Sequence, residues 1–204
     1  MAIIKFNNRR NSTIKKRNNR LRRAIDYITD LNKTCHDLIG GNSVNENNAF
    51  ERMKIVKEYY NKCDGREYIH FVVSFKGKQN ADIAYEIADN ISMIFENYQV
   101  IFAVHLNTSN THIHFVINTV CVLDGHKYGQ SKSDMQNLKQ FIKNIITQSG
   151  IMYDGIYEEG LYSDYCYELD DDLYELDLPE EESQLIEPFI SNDDHDLIDP
   201  FIFY

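Results

Sequence analysis

The segment His105–Asn118 constrains the fold more than any other part of the sequence, because it places three histidines within fourteen residues. An apolar, β-branched run at 100–106 leads into a polar connection at 107–110, and an alternating run follows at 112–120. This pattern predicts two strands joined as a hairpin. Side chains two residues apart on a strand share a face, so His112 and His114 are expected to point the same way. Pairing of the strands would bring His105 level with them.

Three imidazoles that converge from adjacent strands form a half-open site for a divalent cation, with positions left for water or a phosphate oxygen. Three histidines without a carboxylate are typical of zinc, whereas magnesium prefers oxygen, so the residue types leave the ion open. The alternative is that these histidines are core or surface residues that hydrogen-bond locally. The number of histidines favours the metal site.

Composition is that of one domain with an appendage. The 204 residues are 43% hydrophobic, which is enough for a sizeable core. Four cysteines lie far apart without paired spacing, as is typical of reduced thiols in a cytoplasm. The sequence contains no apolar run of about 18 residues and no apolar segment after its basic N-terminus. We therefore expect a soluble, cytoplasmic protein without a membrane span.

The net charge of −11 conceals a division of charge along the chain. Residues 1–150 hold all 21 Lys and Arg against 14 Asp and Glu, a formal +7, whereas residues 151–204 hold 18 acids and no Lys or Arg. The cations that precede the first acid are Lys5, Arg9, Arg10, Lys15, Lys16, Arg17, Arg20, Arg22 and Arg23. A basic body predicts a polyanionic ligand, and a solvated charged surface is the alternative. The acidic tail predicts either a competitor for the same surface or a separate partner site.

Periodicity and turn signals predict the remaining elements. Besides the hairpin we expect strands at 2–6 and 68–75, loops at 7–19 and 37–46, and helices at 20–31, 49–62, 82–97 and 131–150. Asn48 is expected to cap the second helix, and Ser131 or Ser133 the fourth, which ends at Gly150. This order predicts an α+β fold, an antiparallel sheet with helices packed on one face and the three histidines on the exposed face.

The predicted domain is residues 1–150, and residues 151–204 are expected to form an acidic, poorly ordered tail. Two short motifs recur in this tail: Tyr-Glu-Leu-Asp at 167–170 and 174–177, and LIEPFI at 185–190, echoed by LIDPFI at 197–202. Acidic residues interleaved with large apolar ones are typical of peptide motifs that order on a partner. A disordered solubilising tail is the alternative.

The His112-Ile113-His114 motif, with His105 upstream and Asn118 downstream, resembles the third motif of conjugative relaxases in the HUH endonuclease superfamily. Within that superfamily the sequence looks like the P-type mobilisation relaxases of plasmids and integrative elements. Residues 24–30, AIDYITD, are similar to the first motif of that family, and residues 68–75, YIHFVVSF, to its second. The resemblance covers about residues 1–150 and implies the palm-like HUH endonuclease fold. Asn107 and Ser109 stand at positions that are usually acidic in the family.

The resemblance implies a metal-dependent enzyme that nicks and rejoins single-stranded DNA at a transfer origin through a covalent 5′-phosphotyrosine. It implies that Tyr27 is the nucleophile, that Ser74 seats the DNA near the nick, and that His105, His112 and His114 hold Mg²⁺ or Mn²⁺, with Zn²⁺ as another possibility. The residues expected to contact DNA are Arg9, Arg10, Lys15, Lys16, Arg17, Arg20, His70 and Asn118. The adjacent pair Tyr59–Tyr60 is the alternative source of a nucleophile.

Two other functions are compatible with the same motifs. One is an HUH-type replication or transposition initiator, which differs in its DNA substrate. The other is a catalytically weak regulator that binds single-stranded DNA with the same fold, as Asn107 would allow, because an amide orients an imidazole but carries no negative charge. A transfer-machinery or accessory protein is the partner expected for the acidic tail.

Overall fold

The computed structural model describes residues 2–7, 20–129 and 131–151. Its five strands are β1 (Ala2–Asn7), β2 (Ile39–Asn42), β3 (Tyr68–Phe75), β4 (Val100–His105) and β5 (His112–Asn118). They form one sheet in the order β1-β3-β5-β4-β2, and every neighbouring pair is antiparallel. The α-helices are α1 (Arg20–Ile28), α2 (Ala49–Tyr59), α3 (Ala81–Ser92) and α4 (Lys132–Gln148). The predicted α+β fold with an antiparallel sheet is confirmed.

Helices cover both faces of the sheet, whereas the sequence predicted helices on one face. Successive residues of β4 point to opposite sides, so Phe102 joins the core beneath α3 and α4, while Ala103 joins the core beneath α1 and α2. There is a physical reason for α1 and α2 to pack on the second face. The face that carries the histidines also carries Ile101, Ala103 and Val116, and these side chains are fully buried by α1 and α2. Leaving such apolar side chains in water would cost hydrophobic free energy.

Strand β2 lies where the sequence predicted a loop. Its Gly40 and Gly41 are poor strand formers, and they concealed it. The structure explains why glycine stands there, because a side chain at Gly40 would meet the Phe102 ring and the Tyr85 hydroxyl. The close approach lets β2 pair with β4 at the edge of the sheet, with Gly40 opposite Phe102.

The helix ends agree with the prediction at α4 and differ at α2. Asp134 N donates to Ser131 Oγ at 3.1 Å and Ser131 N donates to Asp134 Oδ2 at 2.9 Å, a reciprocal capping box. Gly150 follows with a φ of 80°. Asn48 precedes α2 but makes no side-chain cap, because its Oδ1 accepts from the backbone N–H of Asn45 at 2.9 Å.

The described part of the chain holds no helix long and apolar enough to cross a membrane. Residues 8–19 of the predicted basic loop and residues 152–204 of the predicted acidic tail lie outside the described residues.

Candidate active site

The three predicted histidines meet at one end of the central hairpin. His105 lies directly opposite His112 in the pairing of β4 with β5, and His114 follows two residues later on the same face. Their ring centroids are 5.1 Å apart for His105 and His112, 4.5 Å for His105 and His114, and 5.1 Å for His112 and His114. They are at most 1% exposed, so the prediction that they lie on an exposed face is wrong. Helix α1 packs on β4 and β5 and covers them.

Each of these rings is held through one nitrogen. His105 Nε2 donates to the Ile28 carbonyl at 2.8 Å, and His112 Nδ1 donates to the Asn110 carbonyl at 3.1 Å. His114 Nδ1 lies 3.0 Å from His70 Nε2. The opposite nitrogens of His105 and His114, Nδ1 and Nε2 respectively, are buried without a hydrogen-bond partner. One nitrogen from each of the three rings lies within 4.8 Å of the others. Buried, unpaired ring nitrogens that converge in this way fit a divalent cation.

The electrostatics keep these rings neutral. Burial lowers the pKa of His105 to about 4 and lowers the pKa of His112, and it holds the pKa of His114 well below its ordinary range. The neighbouring histidines and Lys33 add to the effect on His114. A neutral imidazole has a lone pair for a metal ion, whereas an imidazolium has none. The cluster therefore presents ligands and not positive charge at neutral pH.

Tyr27 lies beside the histidine cluster. Its ring centroid is 5.9 Å from that of His105 and 5.5 Å from that of His114, and the residue is 6% exposed. Tyr27 is one of the buried residues of α1, on the side of the helix that packs on the sheet, and this packing holds its ring against the cluster. The structure thus brings the predicted nucleophile and the predicted metal ligands together.

Lys33 also lies at this site, although it was not among the residues predicted from the sequence. Its Nζ lies 3.6 Å from the centroid of the Tyr27 ring, and its carbonyl accepts from Leu106 N at 2.9 Å, just after β4. Asp30 Oδ2 lies 4.0 Å from the same Nζ, and a backbone hydrogen bond from Asn32 lowers the pKa of Asp30. Asp30 thus places a carboxylate near His105, whereas Asn107 is exposed. The signal available in the sequence was that Asp30 and Lys33 follow Tyr27 closely along the chain.

Two of the residues expected to contact DNA are buried and contact other residues of the protein. Asn118 is fully buried, and its Nδ2 donates to Gln99 Oε1 at 2.8 Å and to the Met53 carbonyl at 3.2 Å. His70 is 5% exposed and its ring is nearly parallel to that of His114, with centroids 5.2 Å apart and an angle of 16° between planes. The prediction of a DNA contact is therefore corrected for both. Both side chains lie on the histidine face of the sheet, as their positions on β3 and β5 require, but strand periodicity could not reveal what covers that face.

The other predicted site residues are placed less specifically. Ser74 is half-buried on β3, opposite His112 in the pairing with β5 and therefore on the same face. Arg20 is the first residue of α1 and is also half-buried. The remaining basic residues of this prediction, Arg9, Arg10, Lys15, Lys16 and Arg17, lie outside the described residues.

The Tyr59–Tyr60 pair lies at the other end of the hairpin. Tyr60 donates its hydroxyl to the Val122 carbonyl at 3.0 Å, beyond the C-terminal end of β5, and the two tyrosine rings pack edge to face at 4.8 Å. Six residue steps separate His112 from Asn118, or about 20 Å of strand. The pair is therefore remote from the histidine cluster.

A second group of metal-ligating residue types, Cys121, Asp124 and His126, closes the turn after β5. Both ring nitrogens of His126 are already engaged, Nδ1 with Asp124 Oδ1 at 2.5 Å and Nε2 with the Tyr98 hydroxyl at 2.6 Å. Hydrogen bonds, first from the His126 backbone N–H, lower the pKa of Asp124 to about 2, while burial raises the pKa of Tyr98 to about 12. Hydrogen bonds within this group stabilise the turn.

Comparison with known proteins agrees with this geometry. The nuclease domain of MobA/VirD2-like relaxases matches residues 27–151. Protein rlx of Staphylococcus aureus is 30% identical over 97 residues, which are 45% of this chain and 28% of that protein. The matched region thus spans about a quarter of that relative. The domain match includes Tyr27, Lys33 and all three clustered histidines, and on this evidence the chain belongs to the MobA/VirD2-like relaxase family.

Proposed function

We propose that this protein is a metal-dependent transesterase that nicks one DNA strand at the transfer origin of a plasmid or integrative element. The observation that carries the proposal is the position of Tyr27 against the three buried histidines, inside a relaxase nuclease domain. The phenol of Tyr27 lies next to a candidate cation site, and both lie within the part of the chain that matches the relaxase nuclease domain. The basic half of the chain, with a formal +7 over residues 1–150, supplies attraction for a DNA strand.

Tyr27 attacks the scissile phosphate in this proposal. Its phenol loses a proton, the oxygen bonds to phosphorus, and the bond from phosphorus to the 3′ oxygen breaks. The 3′ oxygen takes up a proton, and Tyr27 keeps the 5′ phosphate. One phosphodiester replaces another, so the free 3′ hydroxyl can reverse the reaction and rejoin the strand. A phenol has a pKa near 10, so it requires nearby positive charge or a base to react at neutral pH.

His105, His112 and His114 would hold the divalent cation, since two of them direct buried, unpaired nitrogens into the cluster. When bound, the cation withdraws charge from the phosphate in the transition state. Helix α1 covers the histidine cluster and shields it from water. The Ile28 and Asn110 carbonyls hold the His105 and His112 rings in place. Mn²⁺ or Mg²⁺ suits phosphate chemistry, and the all-nitrogen ligand set also suits Zn²⁺.

A covalent adduct tests the proposal. The protein is mixed with a single strand from a candidate transfer origin, labelled at its 3′ end, and with Mn²⁺, and the products are separated under denaturing conditions. We expect a labelled protein band that disappears when EDTA is added first. The assay is repeated with Mg²⁺ and with Zn²⁺. If the strand binds but forms no adduct with any of the three cations, the proposed reaction is excluded, and the alternative of a regulator that binds single-stranded DNA is favoured.

The same assay distinguishes a relaxase from an HUH-type initiator of replication or transposition. Equal amounts of a transfer-origin strand, a replication-origin strand and a transposon end compete for the protein, each carrying a different dye. Preferential joining to the transfer-origin strand supports the relaxase. Preference for either of the others would reassign the substrate while leaving the chemistry in place.

A further inference from the structure

His70 is a fourth histidine beside the cluster, on β3, and nothing in the cation site as described assigns it a role. Its Nε2 lies 3.0 Å from Nδ1 of His114, and the planes of the two rings are nearly parallel, at an angle of 16°. Both residues are buried, at 5% and 0% exposure. A contact of this length between two ring nitrogens is a hydrogen bond, and it contains a single proton.

The position of that proton decides whether His114 can bind a cation. A neutral imidazole has one N–H and one lone pair. If His70 donated the proton, His114 would carry its own hydrogen on Nε2. That N–H would be buried without a partner, because Nε2 has none in the structure, and it would face the cluster where a lone pair is required. If His114 donates from Nδ1, its Nε2 lone pair points into the cluster.

We propose that His70 is a positioning residue that accepts the hydrogen bond from His114 and holds His114 in the tautomer whose Nε2 is free to bind a divalent cation. The role of this tautomer rests on the proposed function, which includes the cation site. The tautomer itself can be measured without any cation. Each of the three clustered histidines then has its second nitrogen fixed. Backbone carbonyls of Ile28 and Asn110 fix the other two, whereas the partner of His114 is a side chain and can be replaced.

Two substitutions separate acceptance of the proton from packing. His70→Gln puts a carbonyl oxygen close to the position of Nε2 and preserves an acceptor, whereas His70→Leu fills the space without one. Partners of this kind typically change metal affinity by about 10-fold to 100-fold when they are removed. We expect His70→Leu to weaken Mn²⁺ binding by such a factor and His70→Gln to bind within a few-fold of the parent protein.

The decisive measurement is made on the full chain without metal. Two-bond ¹⁵N–¹H spectra of ¹⁵N-histidine-labelled protein report which nitrogen of each ring carries the proton, and the His114→Gln variant identifies the His114 signals. We expect the Nδ1–H tautomer of His114 in the parent protein and in His70→Gln, and the Nε2–H tautomer in His70→Leu. An Nε2–H tautomer in the parent protein overturns the inference, even if His70→Leu does not fold.

Calorimetry with Mn²⁺ completes the test. Equal affinity of the parent protein and a folded His70→Leu would also overturn the inference. The adduct assay tests the proposed function independently of the role of His70. A protein with the expected tautomer that never joins to DNA would lose the proposed reaction and keep the assignment of His70.

Discussion

Tyr27 and His114 lie edge to face, with ring centroids 5.5 Å apart and an angle of 80° between their planes. The two residues are far apart in sequence, and α1 brings them together by packing across β4 and β5. The same helix end supplies the Ile28 carbonyl to His105 at 2.8 Å. One helix therefore positions the candidate nucleophile and also orients a candidate metal ligand, so their geometry is coupled.

Tyr27→Phe is expected to abolish formation of the covalent adduct while single-strand binding stays within a few-fold. The substitution removes only the phenolic oxygen and keeps the ring packed on the cluster. Adduct formation is measured on denaturing gels, and binding by fluorescence anisotropy. Tyr60→Phe is the control, because Tyr60 lies at the far end of the hairpin and should retain activity. An adduct that peptide mapping assigns to Tyr59 or Tyr60 would contradict the assignment.

His112→Ala and His114→Ala are each expected to weaken Mn²⁺ binding at least 10-fold and to reduce nicking by orders of magnitude, since each removes one of three protein ligands. Isothermal calorimetry measures the affinity, and Zn²⁺ is titrated in parallel. His126→Ala is the matched control, because His126 belongs to the second group of ligand types and braces a turn. Loss of binding in this control alone would move the cation site to residues 121–126.

Lys33→Ala is expected to slow adduct formation about 10-fold at saturating DNA. The ammonium lies on the Tyr27 ring, an arrangement worth about 0.5 to 2 kcal/mol, and it adds positive charge where the phosphate must bind. Lys33→Arg keeps the charge and should recover most of the rate in single-turnover experiments. Lys54→Ala, on an exposed surface of α2, controls for general loss of positive charge. A full rate in Lys33→Ala would remove Lys33 from the reaction.

The hairpin and its histidines were predictable because alternation on strands is a local property. Residues 100–106 and 112–120 contain the apolar pattern and the histidine spacing in one continuous segment, and the structure confirms both strands. What covers the histidines was not predictable in this way. The burial of His105 depends on α1, which is about 80 residues earlier in the chain, and its hydrogen-bond partner is a backbone carbonyl that any residue type at position 28 would supply.

Side-chain roles on the histidine face show the same limit. The resemblance to relaxases led us to expect that His70 and Asn118 contact DNA. His70 instead contacts His114, and Asn118 links Met53 with Gln99. Strand periodicity places a side chain on a face, but its partners come from other elements. Lys33 was not predicted, because it lies beyond the end of α1. The turn that follows this helix brings its ammonium group onto the Tyr27 ring.

Lys57→Met is expected to stabilise the protein at pH 7 by up to about 3 kcal/mol, the free energy that corresponds to its pKa shift. Burial lowers the pKa of Lys57 to about 8 from 10.5, so the folded state binds this proton more weakly than the unfolded state does. Below pH 8 the folded protein therefore carries an unfavourable buried charge, and that penalty disappears as the pH rises through 10.5. Urea unfolding of both proteins between pH 7 and 10.5 should show the difference shrinking. Lys54→Met, on the exposed side of the same helix, should show no such trend.

The acidic tail is expected to lower apparent DNA affinity by competing for the basic surface. Residues 152–204 carry 18 acids and no Lys or Arg, against the formal +7 of residues 1–150. Truncation after Ile151, which keeps the contact of Ile151 with the core, should therefore tighten binding of single-stranded DNA. The effect should shrink as salt rises from about 50 to 200 mM, because both the docking of the tail and the phosphate contacts are screened.

A second truncation separates charge from the repeated hexapeptides. Ending the chain after Gln184 removes both LIEPFI and LIDPFI but keeps 13 of the 18 acids. If the charge of the tail competes with DNA, this intermediate chain should bind nearly as weakly as the full chain, and only truncation after Ile151 should tighten binding. Identical affinities of all three chains at low salt would exclude competition, and the hexapeptides would then be left to act on a protein partner.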